Sequence, residues 1–175
     1  MFKSAKEIAY VGITVALLIG GQLAFSAISG VEIVTAIFAV FCLVLGAVRG
    51  VVVAIAFSLV RCFVFGFFPQ VILLYLVYYN LFAIVVGLLG VAIRGKRELV
   101  KIVLLTCVVV VLTGCFTFID NFFNIWLLKL PPVAVKIYVA QSIPVAISQM
   151  VCACVTVPLF YYPLNKVFTI ARQSL

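Results

Sequence analysis

The strongest constraint on this chain is a succession of long apolar runs that contain almost no charged residues. A soluble domain usually has about a quarter of its residues charged, whereas only 9% of these 175 residues are charged. Several runs reach the roughly 20 residues that a helix needs to cross a bilayer. We therefore expect an all-α integral membrane protein, with residues 1–175 forming one compact bundle of six transmembrane helices. The predicted spans cover residues 8–28, 31–48, 50–68, 71–93, 101–123 and 137–162.

The distribution of basic residues predicts the orientation of the bundle. An even number of spans places both termini on the same side, and the positive-inside rule makes the more basic side cytoplasmic. Nine basic residues then lie at the inner side, and only Arg61, Lys129 and Lys136 remain for the outer half. The net charge of +8 is thus explained by topology and gives no reason to expect nucleic acid as a partner. The inner residues are Lys3, Lys6, Arg49, Arg94, Lys96, Arg97, Lys101, Lys166 and Arg172.

The third outer connection, residues 120–136, is long and apolar for so small a protein. It carries Trp126 next to the pair Pro131-Pro132. Because long structured loops are often functional, the sequence predicts a loop that folds back over the bundle as a lid.

Polar side chains inside the predicted spans gather in the outer half of the bundle. A charged group in hydrocarbon is costly and is a functional candidate by default. Aromatic walls with a few polar groups are typical of small-molecule sites, so we expect an outward-opening pocket. The candidate binding residues are Arg61, Tyr78, Tyr79, Asp120, Asn124, Trp126, Gln141 and Gln149.

Simpler roles for these residues remain open. Arg61 could extend its guanidinium to the outer head groups, or it could pair with Asp120 or Glu32 only to neutralise charge. The tyrosines of the fourth span could anchor the chain at the membrane interface.

The first span has a face of small residues in the stretch GITVALLIGGQLA, with Gly12, Ala16 and Gly20 at every fourth position. Small residues let helix backbones approach closely in lipid. The face could pack inside this bundle, or it could face lipid until a partner helix docks on it.

The sequence offers little for catalysis or metal binding. There is no histidine, only four acidic residues, and six cysteines without a CxxC pair. General acid–base chemistry therefore has almost no candidates, and we expect neither an enzyme nor a metal or cofactor site. A glycine-rich phosphate-binding loop is also missing from the sequence, so any ATP hydrolysis would reside in partner subunits.

These features together resemble the substrate-binding S component of energy-coupling factor (ECF) vitamin transporters. The resemblance covers the length, the six spans, the basic cytoplasmic ends and the long third outer loop. Its most specific element is the small-residue face, which in that family contacts the coupling helices of the T component. The segment 30–60 also looks like the family's paired second and third helices with their glycine-rich turn.

The resemblance implies a subunit of the bacterial cytoplasmic membrane that binds a vitamin-like, flat heterocyclic compound from outside. A T component and two cytoplasmic ATPases would be its partners, with docking at Gly12, Ala16 and Gly20. The main alternative is a non-transporting membrane scaffold of a cell-wall or rod-shape complex, which has similar length and span count. Such a scaffold needs partner surfaces and no pocket.

Overall fold

The computed structural model describes residues 5–26 and 33–173, and this part of the chain is all-helical. Glu32, one of the possible partners of Arg61, lies outside the described residues. The six helices are α1 (Ala5–Phe25), α2 (Val34–Leu45), α3 (Ala47–Phe65), α4 (Pro69–Ala92), α5 (Glu98–Leu128) and α6 (Pro132–Gln173).

Five of these helices are long and apolar enough to cross a membrane, and α2 is the exception. Its 12 residues rise about 18 Å at 1.5 Å per residue, which is less than the hydrocarbon core of about 30 Å. It is the central helix of the bundle, since α1, α3, α4, α5 and α6 all contact it. Almost every one of its residues is buried, so lipid reaches little of its surface.

Both described ends of the chain lie at the same end of the bundle, which we call the basic end. The Arg49 guanidinium, just after the α2–α3 turn, donates a hydrogen bond of 2.6 Å to Glu7 near the start of α1. Arg49 also borders a cavity with Arg94 of the α4–α5 turn and Arg172 near the end of α6. The α3–α4 and α5–α6 turns lie at the opposite end.

Glycines on α4 allow the α2–α3 turn to pack directly on that helix. A Cβ atom on Gly87 would overlap the backbone nitrogen of Ala47, and one on Gly90 would overlap the carbonyl oxygen of Leu43. A side chain at either position would push the turn away from α4. These two glycines therefore set the close approach of α4 to the α2–α3 pair.

The predicted lid loop at residues 120–136 is wrong, because most of this segment is helical. Helix α5 continues to Leu128 and α6 begins at Pro132, so the connection is a short turn. Lys129 adopts a left-handed conformation with φ 47°, and the prolines that follow begin a new helix, as proline suits a first helical turn. A polar contact near the start of this segment joins α5 to α6, because the Asn121 amide donates to the Ser142 hydroxyl at 3.0 Å.

The ends of the last two helices therefore differ from the predicted spans. Helix α5 has 31 residues and α6 has 42, which correspond to about 46 and 63 Å. Both exceed the thickness of a hydrocarbon core, so the two helices extend beyond it as a hairpin. Helix α6 is continuous through Pro144, Pro158 and Pro163.

Candidate functional site

A cavity of about 400 Å³ opens between four helices at the end of the bundle opposite the basic end. We call it the Arg61 pocket. Its volume lies in the range of small-molecule sites, about 300–1,000 Å³, and its mixture of apolar walls and few polar groups is also typical of them. It is lined by Arg61, Val71, Leu74, Tyr75, Phe116, Thr117, Asp120, Tyr138, Gln141, Ser142, Val145 and Gln149.

Arg61 is held in the pocket by aromatic rings. Its guanidinium carbon lies 4.0 Å from the ring centroid of Tyr75 and 5.0 Å from that of Phe65, and both distances suit cation–π attraction. Within residues 5–26 and 33–173, Arg61 forms no ion pair within 4.0 Å, with Asp120 or with any other carboxylate. Its buried Nε atom also has no hydrogen-bond partner there. The pocket thus contains a positive charge that none of these carboxylates neutralises.

The lining of the Arg61 pocket also contains a hydrogen-bonded carboxylate, that of Asp120. The Tyr138 hydroxyl donates to Oδ2 of Asp120 at 2.9 Å, and the Asn124 amide donates to Oδ1 at 2.9 Å. Each carboxylate oxygen is thereby engaged from one side and keeps a free lone pair. Asp120 is fixed in orientation between α5 and α6, and it can accept a further hydrogen bond from a molecule in the pocket.

The sequence-predicted binding residues fall into two groups. Arg61, Asp120, Gln141 and Gln149 all line the Arg61 pocket. Tyr78, Tyr79, Asn124 and Trp126 do not line it.

The four residues outside the pocket have different surroundings. Tyr78 and Tyr79 are buried in the aromatic core behind the pocket, where their ring centroids lie 5.1 Å apart. Asn124 contacts the site only through Asp120. Trp126 is 63% exposed near the tip of the α5–α6 hairpin.

Two pocket residues were missed from the sequence although a signal for each existed. Tyr75 begins the aromatic stripe of α4 and supports Arg61, yet its position suited an interfacial anchor. Tyr138 shares one helix face with Gln141, Val145 and Gln149, because these residues follow one another at intervals of three or four. Extending that face one turn toward the start of α6 would have identified it.

A second surface, the α1 groove, contains all three predicted docking residues. This apolar cavity of about 620 Å³ runs along α1 and is closed on one side by α3. No heavy atom of another element lies within 4 Å of a Cβ built on Gly12 or Gly20, and Ala16 is exposed. Of the two alternatives left open above, the outward-facing one fits this arrangement. The groove is lined by Val11, Gly12, Val15, Ala16, Ile19, Gly20, Leu23, Ala56 and Val60.

The chain matches no family model, and neither the curated proteins nor the solved structures give a significant match. Its likeness to ECF S components therefore stays a resemblance. The structure establishes the coarser class, an all-α chain with five helices suited to crossing a membrane.

Proposed function

We propose that this chain is the substrate-binding subunit of an ECF-type importer in a bacterial cytoplasmic membrane. It binds a vitamin-like compound in the Arg61 pocket, which faces outward, while the basic end and both termini face the cytoplasm. The subunit has no catalytic role of its own, because a T component and two ATPase subunits supply the energy. The compound is released inside when the chain is docked on those partners.

The observation that carries this proposal is that Arg61 lies in an aromatic-walled pocket without an ion pair to any carboxylate of residues 5–26 and 33–173. An arginine whose only purpose is structural would be expected to pair with a carboxylate, since buried charges are normally paired. Asp120 lines the same pocket but accepts hydrogen bonds from Tyr138 and Asn124 instead. A ligand with an anionic group would complete the coordination of Arg61, and its binding would break no ion pair between Arg61 and a carboxylate in the described part of the chain.

The pocket also favours one ligand class. Planar rings pack well against aromatic side chains, and Tyr75 and Phe116 stand on the same side of the cavity with centroids 6.1 Å apart. Gln141 and Gln149 on α6 each offer both donors and an acceptor. We therefore propose a flat heterocycle that bears a carboxylate or phosphate, with its anionic group at Arg61 and a donor at Asp120.

The α1 groove supports the transport part of the proposal. Helix association in lipid depends on close packing and is favoured by small residues. Gly12, Ala16 and Gly20 form an apolar surface that no described part of the chain covers. We assign this surface to a helix of the T component, so that ligand binding and partner docking use different faces of the subunit.

Purification of the tagged full-length chain from its own host, followed by native mass spectrometry, tests this function. The proposal predicts one small molecule bound per chain, and a T component with ATPase subunits in the same preparation. An empty chain that purifies with cell-wall enzymes and no ATPase would instead favour the scaffold. A bound small molecule without transporter subunits would support the pocket and contradict the transport assignment.

A further inference from the structure

A cavity of about 410 Å³ at the basic end is not used by the proposed transport function. We call it the basic pocket. It lies between the α2–α3 turn, the α4–α5 turn and the last turns of α6, at the opposite end from the Arg61 pocket. Its charged and polar lining consists of Arg49, Arg94, Glu98, Lys101, Tyr161, Asn165, Thr169 and Arg172.

The charges in this pocket are only partly balanced. Arg49 pairs with Glu7 at 2.6 Å, and Lys101 pairs with Glu98 at 2.8 Å. In the part of the chain that the structure describes, Arg94 and Arg172 have no ion pair within 4.0 Å. Two cations from different helical segments therefore border the same cavity without a carboxylate of their own.

Two helices also begin at this pocket. Helix α3 starts next to Gly46, and α5 starts at Glu98. At neither start does a side chain cap the first amides. The amides of a first helical turn carry a partial positive charge and bind anions. In α5 the Glu98 carboxylate supplies part of the negative charge that favours a helix start, whereas α3 has no acidic residue in its first turn.

The remaining polar groups are suited to holding an anion with several oxygens. Asn165 and Thr169 follow each other at four residues on α6 and provide an amide and a hydroxyl donor. The Tyr161 hydroxyl donates to Oε2 of Glu98 at 2.9 Å, and Lys101 binds Oε1. This arrangement fixes the single carboxylate of the lining against α6 and leaves the two arginines available to the cavity.

We propose that the basic pocket binds a phosphate group at the cytoplasmic side of the membrane. Arginine side chains match phosphate oxygens with paired hydrogen bonds. Basic pockets between membrane helices on this side are suited to lipid head groups. The phosphate comes either from an anionic phospholipid or from a soluble phosphate compound. The site is independent of the Arg61 pocket and requires no transport activity.

The test compares Arg94→Gln/Arg172→Gln with the matched control Lys96→Gln/Lys166→Gln. Both double variants remove two positive charges from the basic end, but Lys96 and Lys166 do not line the cavity. Native mass spectrometry of the full chain measures retained phosphatidylglycerol. A thermal melt in lipid-free detergent measures the stabilisation by inorganic phosphate. Wild type and control should bind alike, and the variant that lacks two arginines should bind about 30-fold more weakly.

The two arms distinguish the sources. If phosphatidylglycerol is retained and inorganic phosphate does not displace it, the ligand is a lipid head group. If inorganic phosphate stabilises the protein and displaces the lipid, the ligand is a soluble anion. The wild-type protein alone gives a second test, since binding must prefer phosphatidylglycerol to phosphatidylcholine and weaken with salt. The proposal would be overturned if both double variants lost phosphate and lipid binding equally, or if wild type bound neither probe.

Discussion

The glycines of α1 and those of α4 look alike in the sequence but have opposite surroundings. Gly87 and Gly90 of α4 lie so close to the α2–α3 turn that a Cβ atom would overlap its backbone. Gly12 and Gly20 of α1 face the open α1 groove, with no neighbouring element within 4 Å of such an atom. The comparison teaches that a small residue in a membrane helix serves either the fold or an outward surface, and only the neighbouring elements decide which.

The largest effect is expected from Gly90→Ala. The added methyl group would overlap the Leu43 carbonyl oxygen, and relief requires moving the α2–α3 turn away from α4. Overpacking of this kind costs about 1–3 kcal/mol, which a thermal or denaturant melt in detergent should detect. Gly20→Ala is the matched control, and we expect it to be neutral or slightly stabilising. Equal destabilisation by the two variants would remove the distinction between the two helices.

A second prediction concerns the α1 groove. Gly20→Leu or Ala16→Leu places a side chain in the open α1 groove, so we expect the melting temperature and ligand binding to be unchanged. Uptake and co-purification of the T component should fall about tenfold or more, because a bulky side chain blocks close helix approach. Ala140→Leu, at an exposed position on α6, is the control and should behave as wild type. Loss of ligand binding in the groove variants would mean that α1 contributes to the bundle through this face.

The smallest effect is expected where α1 is fastened to the bundle. Its described polar attachments include the Glu7–Arg49 ion pair at the basic end and a 3.0 Å hydrogen bond from the Gln22 amide to the Tyr75 hydroxyl at the other. Glu7→Gln weakens the ion pair with Arg49. Because this pair is partly buried, the free energy of unfolding should fall by about 1 kcal/mol. Backbone amide hydrogen exchange should become faster only in the first turns of α1. The control variant Lys166→Gln should leave the exchange rates of α1 unchanged. Faster exchange throughout α4 would contradict the peripheral role of α1.

Much of the architecture follows from hydropathy. The apolar runs predict helices, and the predicted break after residue 93 contains the α4–α5 turn, whereas the break predicted at residue 49 lies three residues after the observed turn at Gly46. The lid prediction failed at residues 120–136, where Asp120, Asn121 and Asn124 lie in an otherwise apolar segment. In the structure their polar groups bond to partners within the α5–α6 hairpin, which a sequence does not show.

The pocket was predictable only in part, for a related reason. Arg61, Asp120, Gln141 and Gln149 all lie in the outer half of the predicted bundle, and depth in the membrane follows from the position of a residue within its span. Tyr78 and Tyr79 share a face with Tyr75, but periodicity does not tell which neighbour covers that face. The Tyr79 ring packs against Phe38 of α2 and Phe57 of α3, and the Tyr78 ring packs against Phe116 of α5. Of the three tyrosines, only Tyr75 lines the cavity.

The most direct test of the binding role is native mass spectrometry of wild type and Arg61→Leu, purified from the host in parallel. Arg172→Leu, which removes a cation from the basic pocket, is the control. We predict that wild type and Arg172→Leu each retain the same vitamin-like molecule, and that Arg61→Leu lacks this molecule while folding normally, whatever lipid or phosphate occupies the basic pocket. An Arg61→Leu protein that retains the same molecule at full occupancy would contradict the assignment of the Arg61 pocket as the ligand site.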